Sequence, residues 1–271
     1  MLMDASEARY QRADIPRAER PIRLGSLLYT LVEPRRGHEV AYNRWYERDH
    51  FYAGCMIGEW QFAGRRFVAT RDCKIKRYPG DSPIVADPSK GSYVAIYWVL
   101  DEHHDDWNKW GVEQVNRLHA GGRMFLERDH VHTALYRYRG EANAPGSHMP
   151  AELALDRAYP GMVTIIAEGR KGANPDRLAD YFLRRACPAD VMVMGTPLPL
   201  RGDRPADVPD QESDGRLLLM YFPTENPLDV WDRDYARIGA ELEASGLGRV
   251  LFASPFLATV PGTDTYTDQL W

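Results

Sequence analysis

The chain has 271 residues, 44% of them hydrophobic, which is enough to bury a sizeable core and too apolar for a disordered polymer. Its 34 basic and 39 acidic residues are interspersed and leave a formal net charge of -5, so no broad phosphate-binding surface forms and nucleic acid is excluded as an expected partner. No run reaches the roughly 18 to 20 apolar residues of a membrane span, the polar N-terminus lacks a signal-like segment, and Cys55, Cys73 and Cys187 show no CxxC spacing; a cytoplasmic protein with free thiols and no membrane partner is expected.

After a polar arm over residues 1–23, LGSLLYTLVEP (Leu24 to Pro34) reads as a strand, and GHEVAYNRWYERDHFYAGCMIGEW has helical spacing. QFAGRRFVATRDCKI reads as a second strand, Tyr78 to Gly91 as a Pro/Gly/Asp/Ser-rich loop, and SYVAIYWVL as a third strand, β-branched and aromatic. A helix follows from His103 to about Gly121, with Asp105 or Asp106 near its start and a Gly-Gly pair at its end. VHTALYRYRG is a fourth strand, which completes a βαββαβ unit over 24–140. A linker over 141–160 leads to a second round within 161–271: strand GMVTIIAEG, helix NPDRLADYFLRRAC opened by Asn174, and strand ADVMVMGTPLPL. A loop from Arg201 to Asp214, strand RLLLMYF, helix DVWDRDYARIGAELEAS and strand RVLFASPFLATV complete it.

The two rounds are related in sequence. GSYVAIYWVLDEHHDDWNKWGVEQVNRL aligns without a gap with GRLLLMYFPTENPLDVWDRDYARIGAEL, so that Gly91 matches Gly215, Tyr97 matches Tyr221 and Trp107 matches Trp231. A repeat of about 120 residues is too long for a solenoid and implies two domain-sized copies. The expected fold class is α+β: two tandem ferredoxin-like modules, each with one apolar sheet face left over, packed sheet to sheet as an intramolecular barrel. This arrangement resembles the dimeric α/β-barrel superfamily. Because an internally duplicated barrel closes without a partner subunit, a homo-oligomer is neither required nor excluded.

On a helical wheel at about 100° per residue, His38, Tyr42, Trp45, Asp49, Tyr52 and Met56 share one stripe. Such a stripe also serves as ordinary core, but Asp49 within it needs a partner, water or a cavity. The string WYERDHFY resembles the helix motif of EthD-like members of that superfamily, with Trp45 or Tyr46 in the aromatic place and His50 in the histidine place. Phe51 and Tyr52 stand where a proline is usual. The second copy has no histidine in its corresponding helix, so the first module is the expected site. Glu59, Trp60, Arg65 and Arg66 follow the helix. On the fourth strand His130 and His132 are two apart and are expected to share a face with Ala134, Tyr136 and Tyr138. A metal is not expected from that pair, nor from His103 and His104, where helix capping by the adjacent aspartates is the better account.

Motifs for nucleotides, serine hydrolases and zinc proteases are absent, so no cofactor is expected and side-chain proton transfer is left. Trp45, Tyr52, Trp60, Tyr97 and Tyr136 are expected to bind a small aromatic substrate, with Arg65 holding a phenolate or carboxylate. His50 would remove a proton, Tyr46 or His132 return one, and Asp49 orient the base. The expected activity is a cofactor-independent lyase of aromatic-compound catabolism. Alternatives are an isomerase on the same substrates, a haem- or oxygen-dependent oxidoreductase, and a non-catalytic binding protein.

Overall fold

A computed structural model describes residues 22–171, 175–209 and 215–271; the N-terminal arm over residues 1–21 and the helix-opening Asn174 lie outside them. The elements run β1 (Leu24–Pro34), α1 (Glu39–Trp45) continuing as a π-helical segment (Tyr46–Met56), β2 (Gln61–Val68), α2 (Arg71–Ile75), β3 (Tyr93–Leu100), α3 (His104–Ala120) and β4 (Arg128–Asn143). The second round is β5 (Gly161–Gly169), α4 (Pro175–Arg184), β6 (Val191–Leu198), β7 (Arg216–Phe222), α5 (Pro227–Asp234), α6 (Ile238–Ala244) and β8 (Gly248–Ala258).

The strands close into an antiparallel barrel in the order β1-β3-β2-β8-β5-β7-β6-β4, four strands from each ferredoxin-like module. Both faces of these strands are covered, which is why YVAIYWVL and RLLLMYF are apolar almost throughout instead of alternating. Register separates the faces. Leu27, Tyr29 and Leu31 align with Trp98, Ile96 and Val94 and point into the barrel, where the Tyr29 hydroxyl donates to Thr164 Oγ1 of the other module at 3.4 Å. Leu28 and Thr30 align with Tyr97 and Ala95 on one side and with Leu135 and Thr133 on the other, and face the first helical layer. In the second module Val163, Ile165, Leu219 and Tyr221 face outward and pack with Leu178, Phe182, Val230 and Trp231 of its helices.

The two seams between modules differ. β4 and β6 pair over eight residue positions, from Leu135 with Leu198 to Asn143 with Val191, whereas β2 and β8 pair only at Phe67 with Ala258 and Val68 with Leu257. The short seam is completed by Arg65, whose guanidinium donates to the backbone carbonyls of Leu155, Arg157 and Tyr159.

Three local expectations are corrected. The second strand ends at Val68, and Arg71–Ile75 is a short helix following an extended Thr70. The last helical stretch is two helices broken at Tyr235, and it starts early because the Asn226 side chain accepts from Leu228 N with Pro227 next in the chain. Asp105 and Asp106 lie inside the first turn of α3, not at its cap; the flanking residue is His103, which stacks on Trp60 at 5.5 Å.

Candidate functional site

The π-helical segment decides which side chains meet. Its i to i+5 bonding, as in Ile57 N donating to Tyr52 O at 3.1 Å, widens the turn beyond the α-helical 3.6 residues, so residues four apart come into line. Tyr42, Tyr46, His50 and Gly54 are therefore in succession. Tyr42 and Tyr46 are buried with ring centroids 5.8 Å apart, and His50 meets Tyr46 edge-on at 5.1 Å and stacks on Trp45 at 4.6 Å. Gly54 admits the imidazole: a Cβ there would lie 2.5 Å from His50 Nδ1.

Between this segment, α3 and the outward face of β1, β3 and β4 lies a cavity of about 140 Å³, roofed by residues 200–208. Leu28, Leu135, Trp107 and Trp110 give it apolar walls. Tyr46 and Tyr97 bring their hydroxyls together at 2.8 Å, and burial raises both well above the ordinary tyrosine value, so both stay protonated. Burial likewise pushes the Cys55 thiol, also on the wall, up to about 12. His50 is held down to about 3 by burial and then by the nearby Arg128 guanidinium, so the imidazole is neutral at physiological pH. Arg66, from the adjoining strand, is buried against Tyr46 at 4.3 Å and Tyr93 at 5.0 Å and donates to Asn43 Oδ1 at 3.0 Å.

The polar end of the cavity joins His130, one of the two histidines noted on the fourth strand, to residues that sequence spacing did not single out. Arg128 Nη1 donates to Asp207 Oδ2 at 2.8 Å; His119 Nε2 and His130 Nε2 face the same carboxylate at 3.8 and 3.7 Å. His130 Nδ1 meets Thr133 Oγ1 at 2.9 Å, and Thr133 meets Thr30 Oγ1 at 2.9 Å. Burial, and then Arg128, lower His130 to about 4. Beyond this wall lies an open recess of about 630 Å³ that shares His119, Arg128, His130 and Asp207 with the inner cavity. In sequence only His130, through its spacing from His132, signalled this end; Arg128 went unnoticed, and its partner Asp207 lies 79 residues away.

Of the expected site residues, His50, Tyr46 and Tyr97 line the cavity, and Trp45 supports His50 from behind. The others do not join them. Asp49 is rotated out by the wider helical turn and pairs with Arg123 at 2.5 Å, and Tyr52 is 56% exposed. Trp60 lies against His103, and Arg65 is engaged at the β2–β8 seam. A bulge in β4 aligns His130 with Val32 but His132 with Leu31, so the two histidines occupy opposite faces of the sheet. His132 is in the barrel interior, where its Nε2 meets the hydroxyl of Tyr136, itself buried there, at 3.1 Å.

Two cofactor classes can be tested against this geometry. Among the described residues no group of three or more His, Cys, Asp or Glu side chains is disposed to hold a metal ion. The inner cavity is close in size to an engineered apolar cavity of about 150 Å³ that accepts benzene. A porphyrin, many times larger than one ring, does not fit it.

No family model matches the chain, and no curated protein matches it. Solved structures do. A candidate monooxygenase from Fusobacterium nucleatum is 11% identical, with 88% of this chain and 94% of that chain covered and a TM-score of 0.49. A candidate chlorite dismutase is 10% identical over 91% and 98% of the two chains, with a TM-score of 0.46. A variant of DypB from Rhodococcus jostii RHA1 in complex with heme is 7% identical over 91% and 95%, with a TM-score of 0.45. No residue role is carried over from them. The expectation of a cofactor-independent lyase is corrected: of its catalytic set only His50 and Tyr46 meet, while Asp49, His132 and the anion-holding Arg65 lie elsewhere, and the similar structures carry the descriptions monooxygenase, chlorite dismutase and DypB variant in complex with heme. No helix of the described residues is long and apolar enough to cross a membrane.

Proposed function

We propose that the chain is an oxygen-dependent oxidoreductase that oxidises a single-ring phenolic compound in the inner cavity, with haem playing no part at that position. The observation that carries this reading is the aromatic-walled cavity of about 140 Å³, with the neutral His50 and the Tyr46–Tyr97 hydroxyl pair on its wall. An electron-rich dihydroxybenzene is itself the reductant: it loses two electrons and two protons, dioxygen gains them, and quinone and hydrogen peroxide result. The protein's part is to exclude water, hold the ring between Trp107, Trp110 and Tyr97, and hydrogen-bond a ring hydroxyl through the uncharged tyrosine pair. His50, neutral because it is buried, offers one donor and one acceptor nitrogen without placing charge in the chamber. A base that weak orients a hydroxyl better than it removes its proton.

The test is an oxygen-electrode assay with hydroquinone and catechol, beside an absorption spectrum of the purified protein. Oxygen uptake matched by quinone and peroxide, in a protein without a Soret band, is expected. No uptake above the buffer rate, or stoichiometric haem in the purified protein, overturns the reading.

A further inference from the structure

The wall between cavity and recess has the character of a binding site that holds a side chain of the protein's own roof. Arg128 is the buried cation of this wall, its side chain only 6% exposed, and Asp207, the acid that meets it, belongs to the loop over the cavity. The neighbouring acids are engaged elsewhere, Glu127 with Arg35 and Asp129 with Arg35 and Lys90. Asp207 does not fill the place well. It takes one 2.8 Å bond from Arg128 Nη1, while His119 Nε2 and His130 Nε2 stand at 3.8 and 3.7 Å, outside hydrogen-bond distance, and His119 Nε2 is buried without a hydrogen-bond partner. A guanidinium from β4 and two imidazole nitrogens from α3 and β4 thus converge on a carboxylate that bonds only the guanidinium. Immediately inside lie the aromatic walls of a cavity of one-ring size.

We propose that Arg128, His119 and His130 bind the carboxylate of a small aromatic acid whose ring enters the inner cavity, the incoming carboxylate taking the place of Asp207. A guanidinium suits this exchange because its planar fork matches any carboxylate equally, so the displaced and the incoming groups compete for one geometry. A ligand carboxylate, unlike that of Asp207, is free to settle toward the two imidazoles. Release of Asp207 also frees the loop from β4 and connects the recess with the cavity, so the entry route and the anion site are the same structure. The proposal rests on the reading of the cavity as the ring site, and names the substrates of that site as ring carboxylates.

The experiment is a fluorescence titration of the full chain with salicylate, compared with its neutral counterpart salicylamide, and with Asp207→Asn and Arg128→Gln. Salicylate should bind at least tenfold more tightly than salicylamide; Asp207→Asn, which removes the competing charge from a half-exposed loop residue, should tighten salicylate about tenfold, and Arg128→Gln should abolish the preference. Equal binding of the two compounds, no salicylate binding at all, or no gain in Asp207→Asn overturns the proposal, and these arms decide it even if Arg128→Gln does not fold. Because binding alone is read, a chain that takes salicylate but consumes no oxygen loses the oxidoreductase reading and keeps the carboxylate site. One that oxidises hydroquinone and ignores salicylate does the reverse.

Discussion

Tyr46 Oη and Tyr97 Oη lie 2.8 Å apart, one hydroxyl from the π-helical segment and one from β3, both fully enclosed. Removing the Tyr97 hydroxyl leaves that of Tyr46 buried without this partner, and removing that of Tyr46 leaves Tyr97 only the weakly bonding Cys55 thiol, whereas removing both leaves neither hydroxyl. Tyr46→Phe and Tyr97→Phe should each lower the unfolding free energy by about 1–2 kcal/mol, and the double variant should fall by less than the sum. Urea denaturation of the four proteins measures the coupling; strict additivity would show that the two hydroxyls do not depend on each other.

Gly54 is where the imidazole of His50 passes the helix backbone, since a Cβ would stand 2.5 Å from Nδ1. Gly54→Ala should therefore push the ring from its place and destabilise the fold by about 1–3 kcal/mol, the usual range for overpacking. Adding His50→Ala should relieve most of that loss. Thermal unfolding of the single and double variants checks it, and an additive double variant would contradict the close packing.

His50 is lowered to about 3 and His130 to about 4, both chiefly by burial and then by Arg128, from an unfolded value near 6.5. A histidine whose folded value is depressed contributes stability that is present above the unfolded value and lost as pH falls toward the folded one, because the unfolded chain binds the extra proton. Stability should thus decline from about pH 6.5 downward, at up to about 1.4 kcal/mol per pH unit for each of the two. Denaturation midpoints at pH 7.5 and 5, for the parent and for His50→Phe, measure this; the variant should show the shallower slope.

His132 and His130 are two residues apart, yet the bulge in β4 gives them opposite surroundings. His132→Ala should empty a place in the barrel interior beside Tyr136 and Tyr29 and destabilise by about 2–4 kcal/mol, while leaving binding in the cavity unchanged. His130→Gln should do the opposite. Paired calorimetric unfolding and ligand titration separate the two roles.

Local propensity and the repeat made much of the architecture legible from residues alone. The apolar runs YVAIYWVL and RLLLMYF marked strands, the gapless match of Gly91 with Gly215 and Trp107 with Trp231 pointed to two similar modules, and two leftover apolar faces required each other. The strand runs, the helix of residues 104–120 and the barrel follow from periodicity and burial, which are properties of neighbours in the chain. The site does not follow in that way. A wheel drawn at the α-helical period placed Asp49 and Tyr52 inward, whereas the π-helical turn, with Tyr42 against Tyr93 and Tyr46 bonded to Tyr97 of the sheet, carries His50 inward and Asp49 out. A one-residue bulge reassigns His132 to the barrel interior, and the meeting of Arg128 with Asp207 joins positions far apart in sequence. Turn width, strand register and long-range ion pairs are each settled by tertiary contacts that no short window of sequence contains, so the WYERDHFY string named His50 and Tyr46 in advance, while tertiary structure alone decided that Arg128, His119 and Asp207 join them and that Asp49 and His132 do not.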